Sequence, residues 1–159
     1  MQIRELRSDE LDFLGEMLYA ALDWRGDGQL PPRELVLEHE LVVIYHRGWG
    51  RPGDAGVVAE EDGKPVGAAW YRLFTQEDAG FGFVDEQTPE LAIAVVPSKR
   101  GHGIGDELLQ ELIAKARDAG YQRLSLSVEP GNPARKLYER HGFSIVDEGA
   151  EAWTMVASL

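Results

Sequence analysis

The segment Val95-Val96-Pro97-Ser98-Lys99-Arg100-Gly101-His102-Gly103-Ile104-Gly105 joins two kinds of periodicity. Ahead of it, Leu91 to Val96 is short, apolar and partly β-branched, the pattern of a buried strand. After it, Ile104, Leu108, Leu109, Leu112, Ile113 and Ala116 recur at helical spacing and predict a helix over 104–119. The order is strand, glycine-rich turn, helix N-terminus. Glycines let a backbone approach a ligand closely, and the first amides of a helix have no partner within it. Those amides and the helix dipole suit an anion such as a phosphate or pyrophosphate. Lys99, Arg100 and His102 add positive charge beside them.

Three glycine-loop patterns compete. A dinucleotide fingerprint starting at Gly101 and Gly103 requires glycine at 106, where Asp106 stands. The phosphate-binding pattern G-x-x-x-x-G-K-[ST] occurs nowhere in the chain. Arg100-Gly101-His102-Gly103-Ile104-Gly105 resembles the R/Q-x-x-G-x-G/A signature of the GNAT superfamily of acyl-CoA-dependent N-acyltransferases, and Val95-Val96-Pro97 resembles its V-x-P lead-in. The resemblance implies that amides of the 100–105 turn hold the pyrophosphate of coenzyme A. The plain alternative is an ordinary strand–helix turn with a solvated basic pair.

The chain has 159 residues, an ordinary apolar fraction and well-mixed charges, which suits one globular domain over 1–159. No apolar run is long enough to span a membrane. Met1 to Leu6 lacks the layout of a signal peptide, so the cytoplasm is the expected compartment. The absence of cysteine excludes disulfides, thiolate-bound zinc and thiol catalysis. A net charge of −12 argues against nucleic acid as a partner, because phosphate backbones need a basic face. The same charge repels coenzyme A, so its site must be a local positive island. An acidic surface can also steer a cationic amine, although solubility alone is the better reading of it.

Along the chain, residues 1–6 read as a short strand. Ser8 is a candidate N-cap for a helix over 9–22, with Asp9 and Glu10 in its first turn. Pro31-Pro32 opens a second helix predicted over 33–47. A hairpin follows, 56–61 and 66–74 around Asp62-Gly63. Residues 75–88 form a polar insertion carrying Phe81 and Phe83. After the strand 90–96 and the helix 104–119, Gly120 is a helix stop, 123–129 alternates as a strand, and Asn132-Pro133 opens a helix that Gly142 ends. Two strands, 143–148 and 151–157, finish the chain. The strand–helix–strand unit at 90–129 implies parallel pairing and the hairpins antiparallel pairing, so the fold class is α+β with a mixed, mostly antiparallel sheet.

A second motif lies in Asn132-Pro133-Ala134-Arg135-Lys136-Leu137-Tyr138-Glu139-Arg140-His141-Gly142-Phe143. It resembles the family's N-x-x-A-x-x-x-Y-x-x-x-G-F segment, with Asn132, Ala134, Tyr138, Gly142 and Phe143 in register. The order of elements matches the GNAT layout over nearly the whole chain. The resemblance implies splayed central parallel strands with acetyl-CoA between them, contacted by backbone at Ile93, Ala94 and Val95, by the 100–105 turn, and by Asn132. It also implies that Tyr138 is the general acid for the departing thiolate. A phenol with a pKa of about 10 keeps its proton at neutral pH. Ala134, Leu137, Tyr138 and His141 share one helix face, so Tyr138 also reads as a core residue, and Asn132 as a helix cap alone.

Amine acylation also needs a place for the amine proton. Glu90 begins the central strand, where some family members carry a carboxylate that works directly or through water. As counted here it is one residue out of register with them, which turns it to the other face. Asp85 and Glu86 are further carboxylates, better read as solvated loop residues. His39 and His46 lie seven apart with no third ligand, so no metal site is expected. The expected function is transfer of an acetyl group to a primary amine, of a small molecule, in a ternary complex. The alternatives are a peptide or protein acceptor, or a coenzyme A-binding regulatory domain without turnover. A homodimer is compatible with the sequence.

Overall fold

The computed structural model describes residues 1–159. The first half runs β1 (Gln2–Glu5), α1 (Leu11–Leu22), α2 (Arg33–Glu38), β2 (Ala55–Glu61) and β3 (Lys64–Arg72). The second half runs β4 (Glu90–Val95), α3 (Ile104–Asp118), β5 (Arg123–Val128), α4 (Ala134–Arg140), β6 (Ser144–Glu148) and β7 (Trp153–Ser158). The strands form one sheet in the order β1-β2-β3-β4-β5-β7-β6. All neighbours are antiparallel except β4 and β5, which are parallel. This is the mixed α+β sheet expected from the sequence. Asp62 (φ 51°) and Gly63 (φ 77°) both take the left-handed region that a two-residue hairpin turn requires.

Side-chain alternation along β4 feeds two cores. Leu91, Ile93 and Val95 pack on the side of α3, with Leu108, Leu109 and Leu112. Ala92 and Ala94 pack on the side of α1, with Leu14, Met17 and Leu18. The small residues let α1 lie close to the sheet. The parallel pair is joined at one position, Glu90 opposite Ser125, with the Ser125 amide donating to Pro89 O at 3.0 Å. Toward the C-terminal ends of β4 and β5 no ladder pair joins them, and the sheet is split there.

Two expectations are corrected. The helix over 33–47 is instead α2 followed by a single 3₁₀ turn at Val43–Tyr45. The chain leaves the helix at His39 (φ −60°, ψ 136°), whose ring Nδ1 accepts the Leu41 amide at 3.1 Å. The β-branched run Val42-Val43-Ile44 is a poor helix former. Tertiary bonds hold the segment instead. Buried Arg72 donates to Ile44 O (2.9 Å) and Arg47 O (2.8 Å) and pairs with buried Asp54 (2.8 Å). Trp70 Nε1 donates to Tyr45 O at 3.0 Å. Second, Ser8 does not cap α1. The carboxylate of Glu10 takes the Arg7 amide at 2.9 Å and both ends of the Arg4 guanidinium.

Candidate active site

The split between β4 and β5 opens a cavity of about 790 Å³ that passes through the sheet, within the range of small-molecule sites. Glu90, Ile93, Ala94, Val95, Arg100, Gly101, Gly103, Ile104, Gly105, Asn132 and Tyr138 all line it. Of the residues expected to hold acetyl-CoA or to carry the proton transfers, only His102 does not; Asp85 and Glu86 also lie outside the lining. The exposed ring of His102 bonds back to Lys99 O at 3.0 Å.

At the α3 end, Pro97–Lys99 make a 3₁₀ turn, and Gly101 (φ 80°) and Gly103 (φ 82°) take left-handed conformations. A Cβ on either would meet no atom within 4 Å, so both face open space. The α3 ladder begins with the Glu107 amide donating to Gly103 O, which leaves the amides of Ile104, Gly105 and Asp106 without helical partners. Lys99, Arg100 and Arg140 line this end. Asp106, placed where it would oppose an anion, is drawn toward α4 by His141 (3.0 Å) and Arg140 (3.0 Å), which hold its carboxyl below the usual range. Gly105 has a different reason to be glycine, since its Cβ would stand 3.2 Å from Leu137 of α4. This end offers an anion free amides, open glycine backbone, Arg100, and two further cations, Lys99 and Arg140, held in partly exposed pairs with Glu61 (3.0 Å) and Asp106 (3.0 Å), so an acyl-CoA pyrophosphate fits it.

Tyr138 reaches the cavity from the α3 side of the sheet. It is buried in the core and stacks edge-on against Phe143. Its hydroxyl makes no hydrogen bond to the protein, and burial alone pushes its pKa up. The ring is thus a core residue, while its oxygen has no partner in the protein. Asn132 Oδ1 accepts the Ala134 amide at 2.9 Å, so it caps α4 and lines the cavity at once.

Glu90 reaches the cavity from the α1 side, sharing a face with Ala92 and Ala94; the offset in register does not remove it. It is 2% exposed. Its Oε2 accepts the Tyr45 hydroxyl and the Gly82 amide, the latter at 3.1 Å. Its Oε1 has no partner in the protein, nor has Oγ of Ser125 directly across the ladder. Burial raises the Glu90 pKa to about 7, against the opposing pull of the two hydrogen bonds. Asp85 and Glu86 stay in the loop, the first paired with Arg123 and the second accepting the Gln76 amide.

Tyr45 is the residue the sequence did not single out. Its hydroxyl accepts the Phe81 amide at 2.8 Å while donating to Glu90, and its ring stacks on Phe81. The 75–88 insertion is thereby laid over Glu90. Gly80 and Gly82 permit this, because a Cβ on Gly80 would lie 2.3 Å from Glu90 Oε1 and one on Gly82 2.5 Å from the Leu126 backbone. The only sequence signal was the pair of glycines flanking an aromatic residue.

The profile of the acetyltransferase (GNAT) family matches residues 17–143. A [Ribosomal protein bS18]-alanine N-acetyltransferase from Haemophilus influenzae is 46% identical over 55 residues, 35% of this chain and 38% of that protein. A mycothiol acetyltransferase from Propionibacterium freudenreichii is 26% identical over 147 residues, 92% of this chain and 44% of that protein. The chain thus spans less than half the length of these two relatives. The crystal structure of the PaiA N-acetyltransferase from Thermoplasma acidophilum, in complex with coenzyme A, superposes with a TM-score of 0.74 at 18% identity, covering 99% of this chain and 98% of that one.

Proposed function

The chain belongs to the acetyltransferase (GNAT) family, and on that premise we propose that it transfers the acetyl group of acetyl-CoA to a primary amine of a small molecule, by direct attack in a ternary complex. The observation that carries the reading is the cavity through the split sheet. Glu90 and Tyr138 enter it from opposite faces, and an anion-binding turn closes one end.

Acetyl-CoA supplies the activated acyl group. Residues of the 100–105 turn, with Lys99 and Arg140, bind its phosphates; Ile93 to Val95 and Asn132 lie along the split to hold its arm. The amine nitrogen forms the new C–N bond and the C–S bond breaks. Glu90 takes the proton the amine loses, through its free Oε1 or through a water between Oε1 and Ser125 Oγ. Its raised pKa suits that task near neutrality. Tyr138 gives a proton to the departing sulfur. Tyr45 is a positioning residue that fixes Oε2 and leaves Oε1 without a partner in the protein.

The relative named for the alanine of a ribosomal protein favours a second reading, with a peptide N-terminus as acceptor. Incubating the protein with acetyl-CoA and a panel of small amines and short peptides, with free thiol as readout, separates the two. Coenzyme A binding without thiol release from any acceptor would instead favour a binding domain without turnover.

A further inference from the structure

The cavity carries charge of opposite sign at its two ends. Lys99, Arg100 and Arg140 line the α3 end, where the one carboxylate in the lining, Asp106, is paired with Arg140 and His141. On the α1 side the charged lining residues are Glu90 at depth and Glu129 at the rim, where Arg25 pairs with Glu129. Between depth and rim the wall is apolar, built by Leu18, Ala21 and Leu22 of α1 and by Phe81.

Glu129 is held in place. Trp24 Nε1 donates to its Oε2 at 2.7 Å, and Arg25 Nη1 reaches the same oxygen at 2.8 Å. Oε1 takes neither donor. The Trp24 ring is fixed in turn beside Gly131, where a Cβ would stand 3.7 Å from it, and Arg25 lies over its face at 4.3 Å. The Arg25–Glu129 pair is about half exposed on both sides, and such pairs are weak and readily exchanged. An incoming cation can therefore use Glu129 without breaking a buried contact. Independently of this rim, Glu90 is nine-tenths buried with an unpartnered oxygen in the same cavity.

The spacing follows from the strand. Glu90 lies opposite Ser125, and Ser125, Ser127 and Glu129 alternate onto one face. Glu129 is four residues further on, about 13 Å along the strand axis at the usual rise. The acceptor side is thus an anionic floor, an apolar middle and an anionic rim.

We propose that the acceptor is a linear aliphatic diamine or polyamine, with one nitrogen delivered to Glu90 at the split and a distal ammonium bound by Glu129 at the rim. This rests on the acetyltransferase reading. A monoamine of equal length leaves Glu129 unused, and an ω-amino acid brings a carboxylate against it.

The test compares an eight-carbon α,ω-diamine, the eight-carbon monoamine and the eight-carbon ω-amino acid, using the full chain and acetyl-CoA with free thiol as readout. The diamine is expected to exceed the monoamine by about tenfold or more in kcat/KM, expressed mainly in KM, and the amino acid to fall below both. The diamine KM is expected to rise with salt, as for a screened charge contact. Glu129→Gln should collapse the diamine-to-monoamine ratio toward one, and Glu129→Lys should reverse the order of diamine and amino acid. Trp24→Phe, which removes the indole donor while keeping a ring, should lower the ratio in part. Equal use of diamine and monoamine, a ratio that survives Glu129→Gln, or a peptide preferred over all three overturns the inference while leaving acetyl transfer standing. Thiol release from no amine or peptide overturns both.

Discussion

Tyr45 donates its hydroxyl hydrogen to Glu90 Oε2 while its own hydroxyl oxygen accepts the Phe81 amide. One phenol thus joins the candidate base to the loop that covers it. Tyr45→Phe keeps the ring stacked on Phe81 and removes both bonds. The bond to Glu90 favours the charged carboxylate, so its loss should raise the Glu90 pKa further. The acid limb of the pH–rate profile, expected near pH 7 in the wild type, should move to higher pH. An unchanged limb with an unchanged kcat would remove Tyr45 from the mechanism.

Glu90 also makes stability depend on pH in a direction opposite to most carboxylates. Its folded pKa, about 7, lies above its ordinary value of 4.5. The folded protein therefore binds the proton more tightly than the unfolded chain does. The associated stability is fully present below pH 4.5 and is lost as the pH rises through 7, on the order of 3 kcal/mol in all. Glu90→Gln should abolish that slope in denaturant titrations across the window. It should also lower kcat at neutral pH by about 10²-fold, the scale of one positioned base. A Gln variant with the wild-type slope would show that another group titrates.

Tyr138→Phe should keep its melting temperature and its affinity for coenzyme A, since the hydroxyl makes no bond to the protein. It should lose about 10²-fold in kcat, because a general acid acts only as the thiolate leaves. Wild-type turnover in a stable variant would assign the proton to water or another donor.

Gly103 and Gly105 should separate. Gly103→Val forces a branched side chain into a left-handed conformation and into the open space over the turn. It should weaken coenzyme A binding measured by calorimetry, as should Arg100→Ala. Gly105→Val presses on Leu137 instead, so its first effect should be a lowered melting temperature. Unchanged affinity in folded Gly103→Val and Arg100→Ala would count against the phosphate cradle.

Arg72→Leu should destabilise the protein by about 3–5 kcal/mol, the usual cost of leaving a buried charge without its partner. Asp54 would keep the Gly50 and Arg51 amides and the looser Arg51 pair but lose its close buried partner, and the carbonyls of Ile44 and Arg47 would lose their donor. Because that guanidinium holds the segment bearing Tyr45, thiol release should fall as well, even below the melting transition. A variant as stable as the wild type would mean that Asp54 finds another partner.

The sequence by itself determined what local pattern encodes. Strand 90–96, the glycine turn and helix 104–119 follow from periodicity and breakers, and the two motifs placed the α3 end of the cavity and Tyr138 residue by residue. Asp62-Gly63, Gly120 and Gly142 marked turns because their backbone signs are intrinsic to those residues. The tertiary structure decided what depends on distant partners. Pro31-Pro32 predicted one helix over 33–47, but Arg72 and Trp70 hold its second half as a 3₁₀ turn, and only that turn points Tyr45 at Glu90. Whether Glu90 is solvated or buried depends on Gly80 and Gly82 lying against it, contacts between chain segments rather than a property of the residue. The position of Glu129 rests on Trp24, which is 105 residues away. Propensity and spacing act over a few residues, whereas burial, a shifted pKa and a charged rim arise only when separate segments meet.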